Sequence, residues 1–198
     1  MPVAVLELPV PTIARKRWTR KEVEKLEASG AFGQQRFELI EGDLIEKMPK
    51  NRPHAAVTIF LVAWLIRIFG EKRVSTETTT DVRPEDNPTS QPEPDLLVFK
   101  PTYNGFWTTT PQPKDLALVV EVSDSTLGLD LTAKARLYAR AGIREYWVVD
   151  IRGRRIVVHR DPAADTYRTI EAYSEEESLA PLESPQSFLH IADILPPR

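Results

Sequence analysis

Leu116-Ala117-Leu118-Val119-Val120-Glu121-Val122-Ser123 is an apolar run that delivers one carboxylate, and its neighbours decide how the chain folds. A polar turn follows, Asp124 to Asp130. Leu131 to Gly142 then places Leu131, Ala135, Tyr138 and Ala139 along one side of a helix. Glu145-Tyr146-Trp147-Val148-Val149-Asp150 returns as a second apolar run. Strand, helix and strand with about 20 residues between strand ends make a right-handed crossover, so the two strands are expected to be parallel neighbours. Upstream, Pro94-Asp95-Leu96-Leu97-Val98-Phe99 puts a carboxylate at the head of four apolar residues, as expected of a strand buried on both faces.

Composition limits what this core can serve. The 198 residues suit one domain, read as an N-terminal arm over residues 1–17 followed by residues 18–198. The absence of cysteine excludes disulfides, thiolate zinc sites and a cysteine nucleophile, and it fits a reducing cytoplasmic location. A net charge of −3 argues against a dedicated non-specific nucleic-acid binder, while leaving room for a local basic surface. The N-terminus lacks a basic segment before an apolar core, so it does not read as a signal peptide. Ala55 to Ile66 is too short for a membrane span, which needs about 20 apolar residues, and reads as a core helix.

Ahead of the core, Thr19 followed by Glu22 forms a capping-box pattern for a helix over Arg20 to Ala28. The cations from Arg15 to Lys21 are either a phosphate-contacting patch or a solvated helix start. Two alternating runs, Arg36 to Glu41 and Leu44 to Met48, flank Gly42-Asp43 and make a hairpin. Glu38 shares a face with Ile40; if buried there it needs a metal, a lysine or an arginine as partner. Asn51 and Pro53 open a helix through Ile68 whose apolar residues cover most of its surface, so it is expected to be buried on most sides. His54 in its first turn is placed to orient a carboxylate, to bind phosphate through its ring N–H, or to serve as a hydrogen-bonded structural histidine. Arg73 to Val82 reads as a strand. Tyr103, Phe106 and Trp107 either stack on a base or pack on the domain's own surface. Beyond Arg154 the pattern turns to hairpins, Arg155 to Arg160 and Tyr167 to Tyr173, with a last short strand within Ser187 to Ile194.

Phosphodiester hydrolysis needs a Lewis acid on the phosphate, a water of lowered pKa and cations against developing negative charge. Magnesium takes oxygen ligands and keeps several waters, so one or two carboxylates and a backbone carbonyl suffice. Asp95 and Glu121 qualify if their strands are adjacent, and Val122 would add its carbonyl. Side chains alternate along a strand, so Ser123 shares the face of Glu121. Lys134, one turn into the following helix, is the nearest cation able to reach back and act on the attacking water. The plain alternative is that the acids cap helices or pair with arginine, and that Asp130 and Lys134 form a surface ion pair worth about 0.3–0.5 kcal/mol.

The ordered set Glu38, His54, Pro94-Asp95, Glu121-Val122-Ser123, Lys134, Tyr138, Gly142 and Glu145 to Asp150 resembles the Uma-type restriction endonuclease family, a branch of the PD-(D/E)XK nuclease superfamily. The resemblance covers roughly residues 18 to 195. It implies an α/β, restriction-endonuclease-like core: a mixed central sheet flanked by helices, here with C-terminal β-hairpins. It implies Mg or Mn held by Asp95 and Glu121. Lys134 would stand in for the motif lysine, whose strand position holds Ser123, and Glu38 would support the set. His54 and Ser123 are then supporting residues.

The function expected is metal-dependent endonuclease hydrolysis of nucleic acid, DNA first of all, with Arg136, Arg140 and Arg17 as phosphate contacts. No membrane partner is expected, and a twofold homodimer would suit double-strand cutting. The rival readings are a catalytically silent nucleic-acid or protein-binding module on the same fold, and an interaction subunit that dimerises through its C-terminal strands.

Overall fold

The structure is a computed structural model and describes residues 15–198; residues 1–14 of the expected N-terminal arm lie outside it. Helix α1 spans Arg20–Ala28, and its capping box is complete: the Thr19 side chain accepts from the Glu22 N–H, and the Glu22 carboxylate accepts from the Thr19 N–H. Strands β1 (Phe37–Ile40) and β2 (Asp43–Glu46) form the expected hairpin. Its turn is Glu41-Gly42, one residue earlier than the Gly42-Asp43 pair, and both turn residues have positive φ, at 50° and 82°.

Helix α2 spans Arg52–Phe69, with Asn51 capping it and Gly70 ending it. It is not buried on most sides. Val57, Leu61, Leu65 and Phe69 face the core, while Ile59 and Phe60 are 65% and 54% exposed. The expected strand from Arg73 to Val82 shrinks to β3, Val74–Thr76, because the rest of that segment turns away along the loop that leads to Pro94.

A six-stranded mixed sheet carries the molecule, in the order β3, β4 (Leu96–Phe99), β5 (Leu116–Ser123), β6 (Glu145–Asp150), β7 (Arg155–Ala163), β8 (Thr166–Ser174). Only β5 and β6 pair in parallel; every other neighbouring pair is antiparallel. Both faces of the sheet are covered, which is why β4, β5 and β6 read as unbroken apolar runs. On one face α2 lays Val57, Leu61 and Leu65 against Leu96, Val98, Val120 and Trp147. On the other, Tyr138 and Ala139 pack against Leu97, Val119, Tyr146 and Val148.

The crossover between β5 and β6 is not one regular helix. It runs as α3 (Leu127–Leu129), a π-helical turn (Asp130–Lys134) and α4 (Ala135–Arg140). The long loop after β4 packs Tyr103 and Phe106 on Phe99, and leaves Trp107 84% exposed. The last short strand is β10 (Leu189–His190), paired with β9 (Ser178–Leu179).

Candidate active site

Leu96 pairs with Val120 across β4 and β5. Continuing that register by one residue sets Asp95 opposite Glu121, and opposed residues of an antiparallel pair point to the same face. Both carboxylates are buried. Asp95 Oδ2 accepts the Val122 N–H at 2.8 Å, beyond the end of the β4 ladder. In an extended strand a residue's N–H and C=O face the same edge, so the Val122 carbonyl faces the Asp95 side as well.

Lys134 Nζ lies 2.9 Å from Glu121 Oε1 and 2.9 Å from Glu38 Oε1. Glu38 arrives from β1, so four elements meet here. The Tyr138 hydroxyl also donates to Glu121 Oε1, at 3.1 Å. Asp130 stands 3.7 Å from the same ammonium. Its Oδ2 accepts from Ser123 Oγ and Thr126 Oγ1, both at 2.6 Å, while its buried Oδ1 has no hydrogen-bond partner. A surface ion pair is therefore the wrong description of Asp130 and Lys134, which are 1% and 4% exposed. Ser123 is likewise placed to fix Asp130 and not to meet the cleft.

On the other side of Asp95, His54 Nε2 approaches Oδ2 at 3.3 Å. The cap at Asn51 sets the first turn of α2, with the His54 N–H donating to Asn51 Oδ1 at 3.0 Å. Lys50 is the residue that sequence reasoning missed. Its ammonium bridges Asp95 Oδ1 and Glu77 Oε1, both at 2.8 Å. It sits in an irregular segment between Pro49 and Asn51, where no apolar period marks it; proximity to a helix cap next to His54 was the only available signal. Glu38, Lys50, His54, Asp95, Glu121 and Lys134 all line one cleft, and Val122 lines it too.

The electrostatics separate the two acids. Burial pushes the Asp95 carboxyl up, but the hydrogen bonds and charge of His54 and Lys50 outweigh it and hold Asp95 well below the ordinary carboxylate range. Burial pushes Glu121 up; the Lys134 ammonium opposes this, and the neighbouring Asp130, Asp95 and Glu38 add to it, so Glu121 ends well above its ordinary value. Burial also raises Asp130 against the pull of Lys134. Lys134 is raised in turn: burial disfavours its charge, yet Glu121, Glu38 and Asp130 hold the proton on. One buried ammonium faces three buried carboxylates, Glu38, Glu121 and Asp130.

That excess of oxygen donors decides which metal would fit. Among the described residues, no three His, Cys, Asp or Glu side chains are arranged to hold a metal ion between them. A zinc site, which takes three or four protein ligands, does not match. Two carboxylates and a main-chain carbonyl, with water completing the shell, match magnesium or manganese.

The three arginines expected at phosphates lie elsewhere, and none lines this cleft. Arg140 is tied to Glu41 and Asp86. Arg17 pairs with Asp43 at 2.7 Å and donates to the Glu41 carbonyl. Arg136 is exposed beside Tyr167, in a separate depression. In the basic cluster at residues 15–21, Lys16 pairs with Glu22, and Arg20 clamps α1 to Asp81, Asn87 and the Ser90 carbonyl.

A family model described as "Uma2: Putative restriction endonuclease" matches residues 20–192. A solved structure described as "a putative nuclease belonging to DUF820 from Anabaena variabilis ATCC 29413" is similar to this one with a TM-score of 0.67 and 18% sequence identity, over 89% of this chain and 97% of that chain. At that identity the likeness establishes the fold. No curated protein matches the chain.

Proposed function

We propose that this chain, which belongs to the Uma2 family of restriction-endonuclease-like proteins, is a metal-dependent nuclease that hydrolyses phosphodiester bonds, in DNA first of all. The observation that carries the reading is Lys134: a buried ammonium 2.9 Å from both Glu121 and Glu38, in the same cleft as Asp95.

Asp95, Glu121 and the Val122 carbonyl would hold Mg or Mn. When bound, such an ion polarises the phosphoryl oxygens and lowers the pKa of a coordinated water. The protein supplies the rest. Lys134 keeps its proton against three carboxylates, so it acts as a fixed positive charge that orients the attacking water and does not serve as a base. Glu38 and Tyr138 hold that ammonium and the Glu121 carboxylate in one orientation. His54 and the Val122 N–H fix the rotamer of Asp95. Lys50 holds the Asp95 Oδ1 position that a divalent ion would share, so it competes with the metal for that oxygen.

The test is incubation of the full chain with linear duplex, circular duplex and single-stranded DNA, in Mg, Mn or chelator. Cleavage is expected with metal alone, and Glu121→Ala should reduce it by about 10²-fold or more. DNA binding without cleavage, unchanged in Glu121→Ala, would instead identify a binding module on this fold.

A further inference from the structure

The cleft carries more acid than base, so a polyanion that enters it needs cations at the edge. Lys47 and Lys50 line the cleft but are held by its own carboxylates, Lys47 by Glu93 and Lys50 by Asp95 and Glu77. Two arginines are placed otherwise. Asp124 lines the cleft just beyond the end of β5, and a different element takes each of its oxygens. Oδ2 accepts from the side-chain amide of Asn51, the cap of α2, and Oδ1 accepts from Arg152 Nε at 2.8 Å. Arg152 is thereby tethered to the cleft's edge from the turn after β6, while its side chain stays 73% exposed. Only Nε is engaged; its Nη nitrogens have no partner among the described residues. Exposed ion pairs add little to stability, so what this one fixes is the position of the guanidinium.

Arg52 follows Asn51 as the first residue of α2. It is exposed and forms no ion pair among the described residues. A cation at that position opposes the helix dipole, so α2 gains nothing from it. Met48 also lines the cleft and is 68% exposed, an apolar tip among charged neighbours. We propose that this edge is the track for the nucleic-acid backbone, with Arg152 and Arg52 each taking a phosphate and Met48 packing on the face of a neighbouring base. A guanidinium suits this work because its planar fork matches two phosphate oxygens at once. The hold of Asp124 on Nε orders Arg152 before the ligand arrives, which lowers the entropy cost of binding. An apolar side chain beside such cations contacts bases without reading their edges. The track rests on the nuclease reading of the cleft. It takes the part that the sequence assigned to Arg136, Arg140 and Arg17, none of which lines the cleft.

The experiment is fluorescence anisotropy of a labelled DNA duplex titrated with the full chain, in chelator so that no cleavage intervenes, over roughly 50–200 mM salt. The wild type should bind in the micromolar range of non-specific contacts. Arg52→Gln and Arg152→Gln should each weaken binding by about fivefold and lower the salt slope by about one. Met48→Ala should weaken binding with the slope unchanged, because no charge is lost. Neither arginine substitution should lower the melting temperature, since both side chains are exposed. Arg136→Gln, in its separate depression, should change neither affinity nor slope. Affinity and slope unchanged in both arginine variants overturn the proposal, even where the wild type cleaves DNA. So does a wild type that binds no duplex in chelator, or an equal loss in Arg136→Gln, which would mark diffuse surface attraction. The catalytic reading fails separately: duplex held by these two arginines but never cut with metal supports the track and removes the nuclease.

Discussion

Glu121 holds the clearest conflict between stability and use at a single residue. Its carboxyl is raised chiefly by burial. A raised acid contributes stability that is present below its unfolded value, near 4, and is lost as pH rises through the folded value. Burial pushes Glu121 up to about 8, so at neutral pH it is held largely protonated, and only above that value does its negative charge strain the metal-free protein. Glu121→Gln keeps an oxygen for Lys134 and Tyr138 and removes that charge; thermal unfolding should show a gain on the order of 1–2 kcal/mol above neutral pH that vanishes in acid. The sign reverses for function, since a divalent ion binds the carboxylate and its affinity should climb with pH. Lys50 poses a second test. Replacing it by Met should tighten Mn binding by about tenfold, read by calorimetry, if its ammonium competes for Asp95. Glu38, Asp95, Glu121 and Lys134 were legible from strand alternation and from the family pattern. Lys50 and Asp130 were not, because tertiary contacts alone give them their roles.

At the scale of elements, the π-turn at Asp130–Lys134 sets the geometry. In an α-helix, positions four apart drift by roughly 40° per step, so Asp130, Lys134 and Tyr138 would fan away from β5. One extra residue in the turn offsets that drift and keeps all three directed at the same strand, consistent with π-bulges lying at functional sites. Deleting Thr132, which is exposed, should restore α-helical winding there. Far-UV circular dichroism should change little, while metal-dependent cleavage is lost. Apolar spacing announced a helix over this segment but carries no signature of a π-turn. The same limit explains α2. Hydropathy marked it as helical and apolar, yet could not say that half of its apolar surface faces outward.

At the scale of the molecule, the fold was legible because both sheet faces are covered. Continuous apolar runs at β4, β5 and β6 fit doubly buried strands, and the crossover length pointed to β5 and β6 as parallel neighbours, as they are. The convergence of β1, β4, β5, the π-turn and the first turn of α2 on one cleft is a property of the whole chain, and so is its excess of negative charge. Binding of Mn²⁺ to the full chain, followed by electron paramagnetic resonance, tests that convergence most directly. One ion per chain is predicted, with Asp95→Asn and Glu121→Gln each weakening it by about tenfold or more, and Lys134→Met leaving it in place. No bound Mn²⁺ in the wild type, or binding indifferent to both acid substitutions, would contradict the account.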